Sequence, residues 1–537
     1  MQTPRAMLDS MVGRTGAIIR HSTLHHLPFF GRGTAPSRMK TFENANLTPC
    51  WHWSVMWIFT ALYTLLVVVA ADDPQQRPVY VTNADSQDIS TFLVNVVTGH
   101  PNVVSHRVKA GDGVRNMAIT PNARFAYAGN SGASTISAYS VGPQGMLASL
   151  PGAASTVVSG DQDPVGGVVS PDSRTLYFAH VAEENPTGGS IAAFTIAANG
   201  EIHPLGPPLV TAEHHPRALV MTPDGKFLYA GHGDPGVRRN TSVGAITSYA
   251  VNPGGTLTPI GSPIHAGRFC GDSTITPNGH RLYVLCQDFN QIFGFAISSN
   301  GGLAPLPGSP YTVTGEFPEG IASSPDGRFI FVASPGRVTN GSVSSFSAGA
   351  DGSLTQVDGS PYPGGFGPVE IAPLPNGKFV YASTDVDSSP ADLGALNAFA
   401  VGPSGGLKPL AGSPFPDGGK GPAYGSFSIL PNQGPVAQFA TRADNGDNKL
   451  SVRFDASDST DSDGRIAQYA WDFGDGVVLN TVDHQITHIY ARAGKFTVTL
   501  TVTDNEGCST ALVSIGRTVL CNGGAAAAMS RIITVSP

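Results

Sequence analysis

An all-β chain is predicted, in which a seven-bladed β-propeller is followed by a small β-sandwich and preceded by one apolar segment. Three observations carry this reading. A "P-N" or "P-D" step recurs at Pro121, Pro171, Pro223, Pro277, Pro325, Pro375 and Pro431. The aromatics Tyr80, Tyr127, Tyr177, Tyr229, Tyr283, Phe331 and Tyr381 lie 47, 50, 52, 54, 48 and 50 residues apart. After Gly434 this period stops, and a stretch with period-two alternation takes over. A repeat near fifty residues whose local signals are strands and turns marks propeller blades rather than a helical solenoid.

Composition agrees with many short strands. The 537 residues include 65 glycines and 43 prolines, only 13% are charged, and 41% are hydrophobic. Such a chain can bury a large core between frequent turns. Its net charge of −8 argues against a nucleic-acid partner or an anionic surface.

Residues 1–52 form a basic leader, with Arg5, Arg14, Arg20, Arg32, Arg38 and Lys40 against Asp9 and Glu43. Residues 53–71, "WSVMWIFTALYTLLVVVAA", carry no charge and are long enough to span a hydrocarbon core. The basic flank places everything after Asp72 outside the cytoplasm, secreted or held at the cell membrane. A cleaved signal, with Met1 or Met39 as start, and a retained transmembrane helix both fit this segment.

Residues 78–432 are assigned to the ring. Each repeat gives four strands, as in "RALVMTP", "FLYAGH", "GAITSYAV" and the strand beginning at Thr256, joined by tight Gly/Asn/Asp turns. The first blade lacks its innermost strand, and a spare one, "YGSFSILPN", follows the sixth full repeat. Pairing of residues 424–430 with 79–83 is therefore expected to close the ring and leave no open sheet edge. Residues 435–537 form the sandwich, with Trp471 in a central strand.

Cys270, Cys286, Cys508 and Cys521 lie beyond the apolar segment and allow three pairings. The nearest-neighbour choice, Cys270–Cys286 and Cys508–Cys521, keeps each bridge within one domain. No cysteine or histidine cluster has zinc-ligand spacing, no metal site is assigned, and no cofactor is called for.

Six residues before each repeat proline stand Arg115, Val165, Arg217, Gly271, Glu319, Val369 and Gly425. This register opens each innermost strand at one mouth of the channel. His214, His215, Arg268, Glu316 and Glu370 lie nearby. Cations there suit an acidic substrate, and a histidine or carboxylate suits a base.

The words "VYVTNADSQDISTFLV" and "TPDGKFLYAGH…SVGAITSYAVNPGGTLTPI" resemble the seven-bladed lactonase and "YVTN" propeller family. "FDASDSTDSDG", "YAWDFGDG" and "YARAGKFTVTLTVTDNEG" closely resemble the PKD domain, which implies an Ig-like sandwich that mediates contacts or spaces other domains. The first resemblance implies lactone hydrolysis; for that reaction the register above offers His215 or Glu319 as base and Arg115, Arg217, Arg268, Glu316 and Glu370 around the substrate. The sequence departs from the family's expected Pro-Arg-His and His-Pro-His words, since "HHPRAL" has Ala218 at the histidine of the first and Arg217 at the second histidine of the other. Two readings stand: an exported surface-binding protein whose partner is a protein or glycan, and a lactone hydrolase of the 6-phosphogluconolactonase type acting at the channel mouth.

Overall fold

The structure, a computed structural model, describes residues 75–151, 155–157, 163–181, 189–233, 244–336, 341–365, 367–384, 394–443 and 450–536. All belong to one compact unit. The apolar segment 53–71 lies outside the described residues, and among those described no helix is long and apolar enough to cross a membrane.

Seven antiparallel sheets build the ring. In blades two to seven the chain enters on the innermost strand and works outward. Blade four runs Pro216–Met221, Phe227–His232, Ala245–Val251 and Leu257–His265. Blade one is composite. Its strand Gln76–Asn83 pairs antiparallel with Pro422–Ile429, placing Val79 opposite Ile429, Tyr80 opposite Ser428 and Val81 opposite Phe427. The seven innermost strands touch one another in sequence around the channel, with Pro422–Ile429 between those of blades seven and two.

The repeated aromatic explains the period. The Tyr80 hydroxyl donates to the Gly145 carbonyl of the next blade, and Tyr127, Tyr177, Tyr229 and Tyr283 donate likewise to Gly200, Gly255, Gly301 and Gly352. Tyr381 completes the circle by donating to Gly99 of blade one. Phe331 has no hydroxyl, and the Ser345 hydroxyl of the same blade donates to Gly405 instead. Each bond satisfies a buried polar group while fixing one blade against the next. The proline steps are turns held by their own side chains: Asp224 Oδ1 accepts from Thr222 Oγ1 and from the Lys226 amide.

Three residues after each aromatic stand Asn83, Asn130, His180, His232, Cys286, Ser334 and Thr384, all buried. Most tie the second strand to the third: Asn83 Nδ2 reaches Ser90 Oγ at 2.9 Å, and His232 Nε2 meets Thr247 Oγ1 at 2.8 Å. Burial pushes the His180 pKa down to about 3 and that of His232 to about 4. Between pH 6.5 and those values the unfolded chain binds protons that the folded chain refuses. Their stability contribution is thus present above pH 6.5 and is lost as pH falls. Asp417, raised by burial to about 6, acts in the opposite direction below that pH and flattens the whole profile. The expected result is a difference: His232→Asn makes the loss of stability between pH 6 and 4 shallower than wild type by about 1.4 kcal/mol per pH unit. Parallel urea titrations across this range measure it.

The C-terminal region is a two-sheet sandwich. One sheet holds Ala440–Ala443, Ser451–Asp455 and Gln485–Ile489; the other holds Val478–Thr481, Ile466–Asp472, Gly494–Asp504 and Ala528–Val535. Trp471 is 1% exposed and packs edge-on to Phe439 at 5.2 Å, with Phe454 and Phe473 around it. A separate hairpin, Leu512–Ser514 and Val519–Asn522, projects from the sandwich with the Cys508–Cys521 disulfide at its base. Cys270–Cys286 joins the first two strands of blade five.

Candidate functional site

The innermost strands begin at one mouth, here the upper, and end at the lower mouth in the proline turns. The six-before-proline register has a structural meaning: it falls at a β-bulge. In blades three, four and five, Val165, Arg217 and Gly271 are skipped by the ladder to the second strand. Arg115 and Asn116 together face one residue in blade two, as Val369 and Glu370 do in blade seven. In blade six the Glu319 amide donates to Ala333, the residue already paired with Gly320. A bulge releases one residue from the ladder and re-aims its side chain, which is why such positions recur beside sites.

Two residues before the bulge the backbone is left-handed in five blades, at Gly113, His215, Phe269, Phe317 and Gly367. Glycine adopts this conformation freely. His215 (φ 53°), Phe269 (φ 49°) and Phe317 (φ 57°) do so at a cost of order 1–3 kcal/mol each. These three strained residues occupy consecutive blades, four to six.

The same sector gathers most of the sequence-predicted residues. Arg217 is 8% exposed and its guanidinium lies 4.9 Å from the Phe269 ring centroid. Arg268 sits 5.9 Å over the ring of Phe289, which is 53% exposed. Glu319 Oε1 accepts from Gln287 Nε2 at 2.8 Å, and the Phe317 amide donates to Asn290 Oδ1 at 3.1 Å. Residues 287–290 are one short turn of blade five, so Arg268, Glu319 and Phe317 converge on it from two blades. His215 is buried and accepts from the Gly233 amide through its carbonyl; His214 and Glu316 are exposed on the same rim. Gly166 is required beside Arg217, because a Cβ there would fall 1.9 Å from the Arg217 carbonyl oxygen.

Two predicted residues lie elsewhere. Arg115 is in blade two, where its Nε donates to Ser131 Oγ at 2.9 Å. Glu370 is fully buried and forms an ion pair with Arg517 from the C-terminal hairpin, so the register that suggested a substrate contact places it instead against the protein's own guanidinium. Asp272, absent from the sequence reading, holds the other side of Arg517 at 3.1 Å. Asp272 and Glu370 both stand five residues before a repeat proline, a register in which Ser426, Asn116, Gly166, Ala218 and Gly320 fill the other blades. Two acidic residues in that otherwise small or neutral row were a usable signal. Nothing in the repeat pointed to Arg517.

A family profile described as "Lactonase, 7-bladed beta-propeller" matches residues 69–237, and one described as "PKD domain" matches residues 432–519. The first part of the ring is thus similar to the seven-bladed lactonase propellers, and the C-terminal region to PKD domains. The chain is 25% identical over 299 residues to a 6-phosphogluconolactonase of Cronobacter sakazakii, covering 52% of this chain and 83% of that protein. A putative 6-phosphogluconolactonase structure from Bacteroides uniformis superposes with a TM-score of 0.54 at 18% identity, covering 66% of this chain and all of the other. The PKD region is 48% identical over 56 residues to Collagenase ColA of Clostridium perfringens, a match covering 10% of this chain and 5% of the collagenase.

Proposed function

We propose that the lactonase-family propeller binds and hydrolyses a sugar-acid lactone at its upper mouth, in an extracytoplasmic compartment. The observation that carries this reading is the convergence of Arg268 and Glu319 on the blade-five turn, with Arg217 stacked on the adjoining Phe269. The 6-phosphogluconolactonase relative supports the reaction class. Two disulfides support an oxidising compartment, because cytosolic thiols are kept reduced.

In this scheme Glu319 takes a proton as water attacks the lactone carbonyl, with His215 as the second candidate base. The arginines face the developing oxyanion and the released carboxylate. The ring C–O bond then breaks, and the leaving alkoxide recovers the proton to give an open hydroxy acid. Arg217 and Arg268 are balanced by Glu316 and Glu319 in this sector, so it offers no excess positive charge for a phosphate dianion. An unphosphorylated lactone suits it better.

Hydrolysis of glucono-δ-lactone and its 6-phosphate by residues 72–537 tests the proposal. The expected result is faster turnover of the neutral lactone, with kcat/KM reduced about 100-fold or more by Glu319→Gln and KM raised by Arg217→Ala. No turnover above the buffer rate removes the hydrolase reading.

A second reading, a surface-binding module, is favoured by one feature. The PKD strand Val478–Thr481 lies at a sheet edge and exposes Val478 at 72% and Leu479 at 40%, with Val482 at 77% just beyond. An exposed apolar edge can add a strand from a partner.

A further inference from the structure

The hairpin of the PKD domain enters the lower mouth of the propeller. The Met221 amide of blade four donates to Gly516 O at 3.2 Å, and the Ile275 amide of blade five donates to Ile515 O at 3.0 Å. Thr274 Oγ1 donates to that same carbonyl at 2.9 Å. Ile515 and Leu520 are buried in the hydrophobic cluster of blades six and seven, beside Phe331 and Ile371. The tip is narrow by necessity. Gly516 has φ 102°, and a Cβ there would lie 2.9 Å from Val220 Cβ. Four blades therefore meet one hairpin at this mouth.

Arg517 extends this insertion. Its Nη1 donates to Asp272 of blade five, its Nη2 to Glu370 of blade seven. Blade six lies between those blades, so one guanidinium reaching both spans part of the channel itself. Both carboxylates are 1% exposed, whereas Arg517 retains 13%. The walls are prepared independently of the hairpin: Asp272 Oδ2 accepts from the Ile321 amide at 2.9 Å and Oδ1 from the Ser273 amide at 2.8 Å. Glu370 Oε2 is buried and, among the described residues, has no hydrogen-bond donor on it. Two carboxylates on either side of a channel suit a planar fork with divergent N–H groups far better than the point charge of an ammonium.

We infer that Asp272 and Glu370 form a guanidinium-binding site inside the propeller channel, filled in cis by Arg517, through which the PKD domain corks the lower mouth. Ligands then reach the channel only from the upper mouth, and the PKD domain is a structural part of the ring rather than a tethered appendage. Withdrawing the side chain while leaving the walls intact creates a cavity with two uncompensated carboxylates and therefore a receptor for small guanidinium ions.

Chemical rescue tests this. In the full-length protein Arg517→Ala lowers Tm, and 10 mM methylguanidinium restores about 2 °C or more by binding the folded state alone. Methylammonium at equal concentration restores less than half as much, and wild type responds to neither. Hydrogen exchange at the Met221 and Ile275 amides rises in Arg517→Ala, reporting a loosened cork. The variant Arg517→Met/Asp272→Asn/Glu370→Gln removes charge from cork and walls together, and it is expected to ignore methylguanidinium. If Arg517→Ala does not fold in plain buffer, refolding yield with and without methylguanidinium replaces Tm as the readout. Equal responses in wild type and Arg517→Ala, rescue that persists in the charge-free variant, or no gain from methylguanidinium in either Tm or yield overturns the inference.

Discussion

Replacing Arg77 by methionine lowers the unfolding free energy by about 3–5 kcal/mol, the cost of stranding a buried partner charge. Arg77 is 1% exposed on the first strand of the ring, yet every side-chain partner it has lies beyond the closing strand. Its Nε donates to Glu506 Oε1 at 3.0 Å, its Nη1 to Asp463 Oδ2 at 2.6 Å and its Nη2 to Asn432 Oδ1 at 2.8 Å. Glu506 is 3% exposed, and Asp504 and Asp461 lie close by, where burial and neighbouring carboxylates already push the Asp461 pKa up. Without the guanidinium these acids are left with their mutual repulsion. The raised Asp461 and Asp504 pKa values rise further, so the folded variant takes up protons that the unfolded chain releases. The deficit is therefore largest near pH 7 and shrinks toward pH 5. Urea unfolding of Arg77→Met, Glu506→Gln and the double variant checks both points. The double variant should lose less than Arg77→Met alone, since it removes charges of both signs.

Replacing residues 422–430 by a flexible Gly/Ser segment of the same length opens the ring and yields aggregated protein. That segment supplies the innermost strand of blade one, and its Phe427 and Ile429 are 3% and 1% exposed against Val79, Val81 and Tyr381. Their loss leaves Gln76–Asn83 as an unpaired apolar edge, which is a template for other chains. The lost burial and the lost ladder together rival the total stability of an ordinary domain, about 5–15 kcal/mol. Size-exclusion chromatography with limited proteolysis is the check. A monomeric, protease-resistant product means that the remaining strands close the ring without it.

The two predictions differ in how readily they were legible. Pairing of the spare strand with the orphan half-repeat follows from counting: seven proline steps, seven aromatics, and one copy cut in half at each end. The repeat is visible because every blade solves the same local problem. A turn needs Asp or Asn after its proline, with Thr or Ser two residues earlier in five of the seven copies, an inner strand needs small and β-branched residues, and a tyrosine needs a glycine carbonyl on the next blade. Even the exception was visible, as Phe331 stands where a hydroxyl is otherwise required. The candidate rim was half legible. The six-before-proline register located the bulges, and the cations and acids at Arg217 and Glu319 marked the sector. That Arg115 stays with Ser131 while Arg268 joins the blade-five turn depends on which blades adjoin.

Local chemistry in the sequence determined the blades, their number, the PKD sandwich and the hairpin with its Cys508–Cys521 staple. Only the tertiary structure decided how ring and sandwich join. Arg77 reads as an ordinary polar residue ahead of a strand, and Arg517 as a turn residue in an insert. Their partners lie 429 and 245 positions away at Glu506 and Asp272. Contacts at that separation leave no periodicity or propensity behind. They exist because docking removes water from both sides at once, and a charge buried there must find its opposite across the new interface.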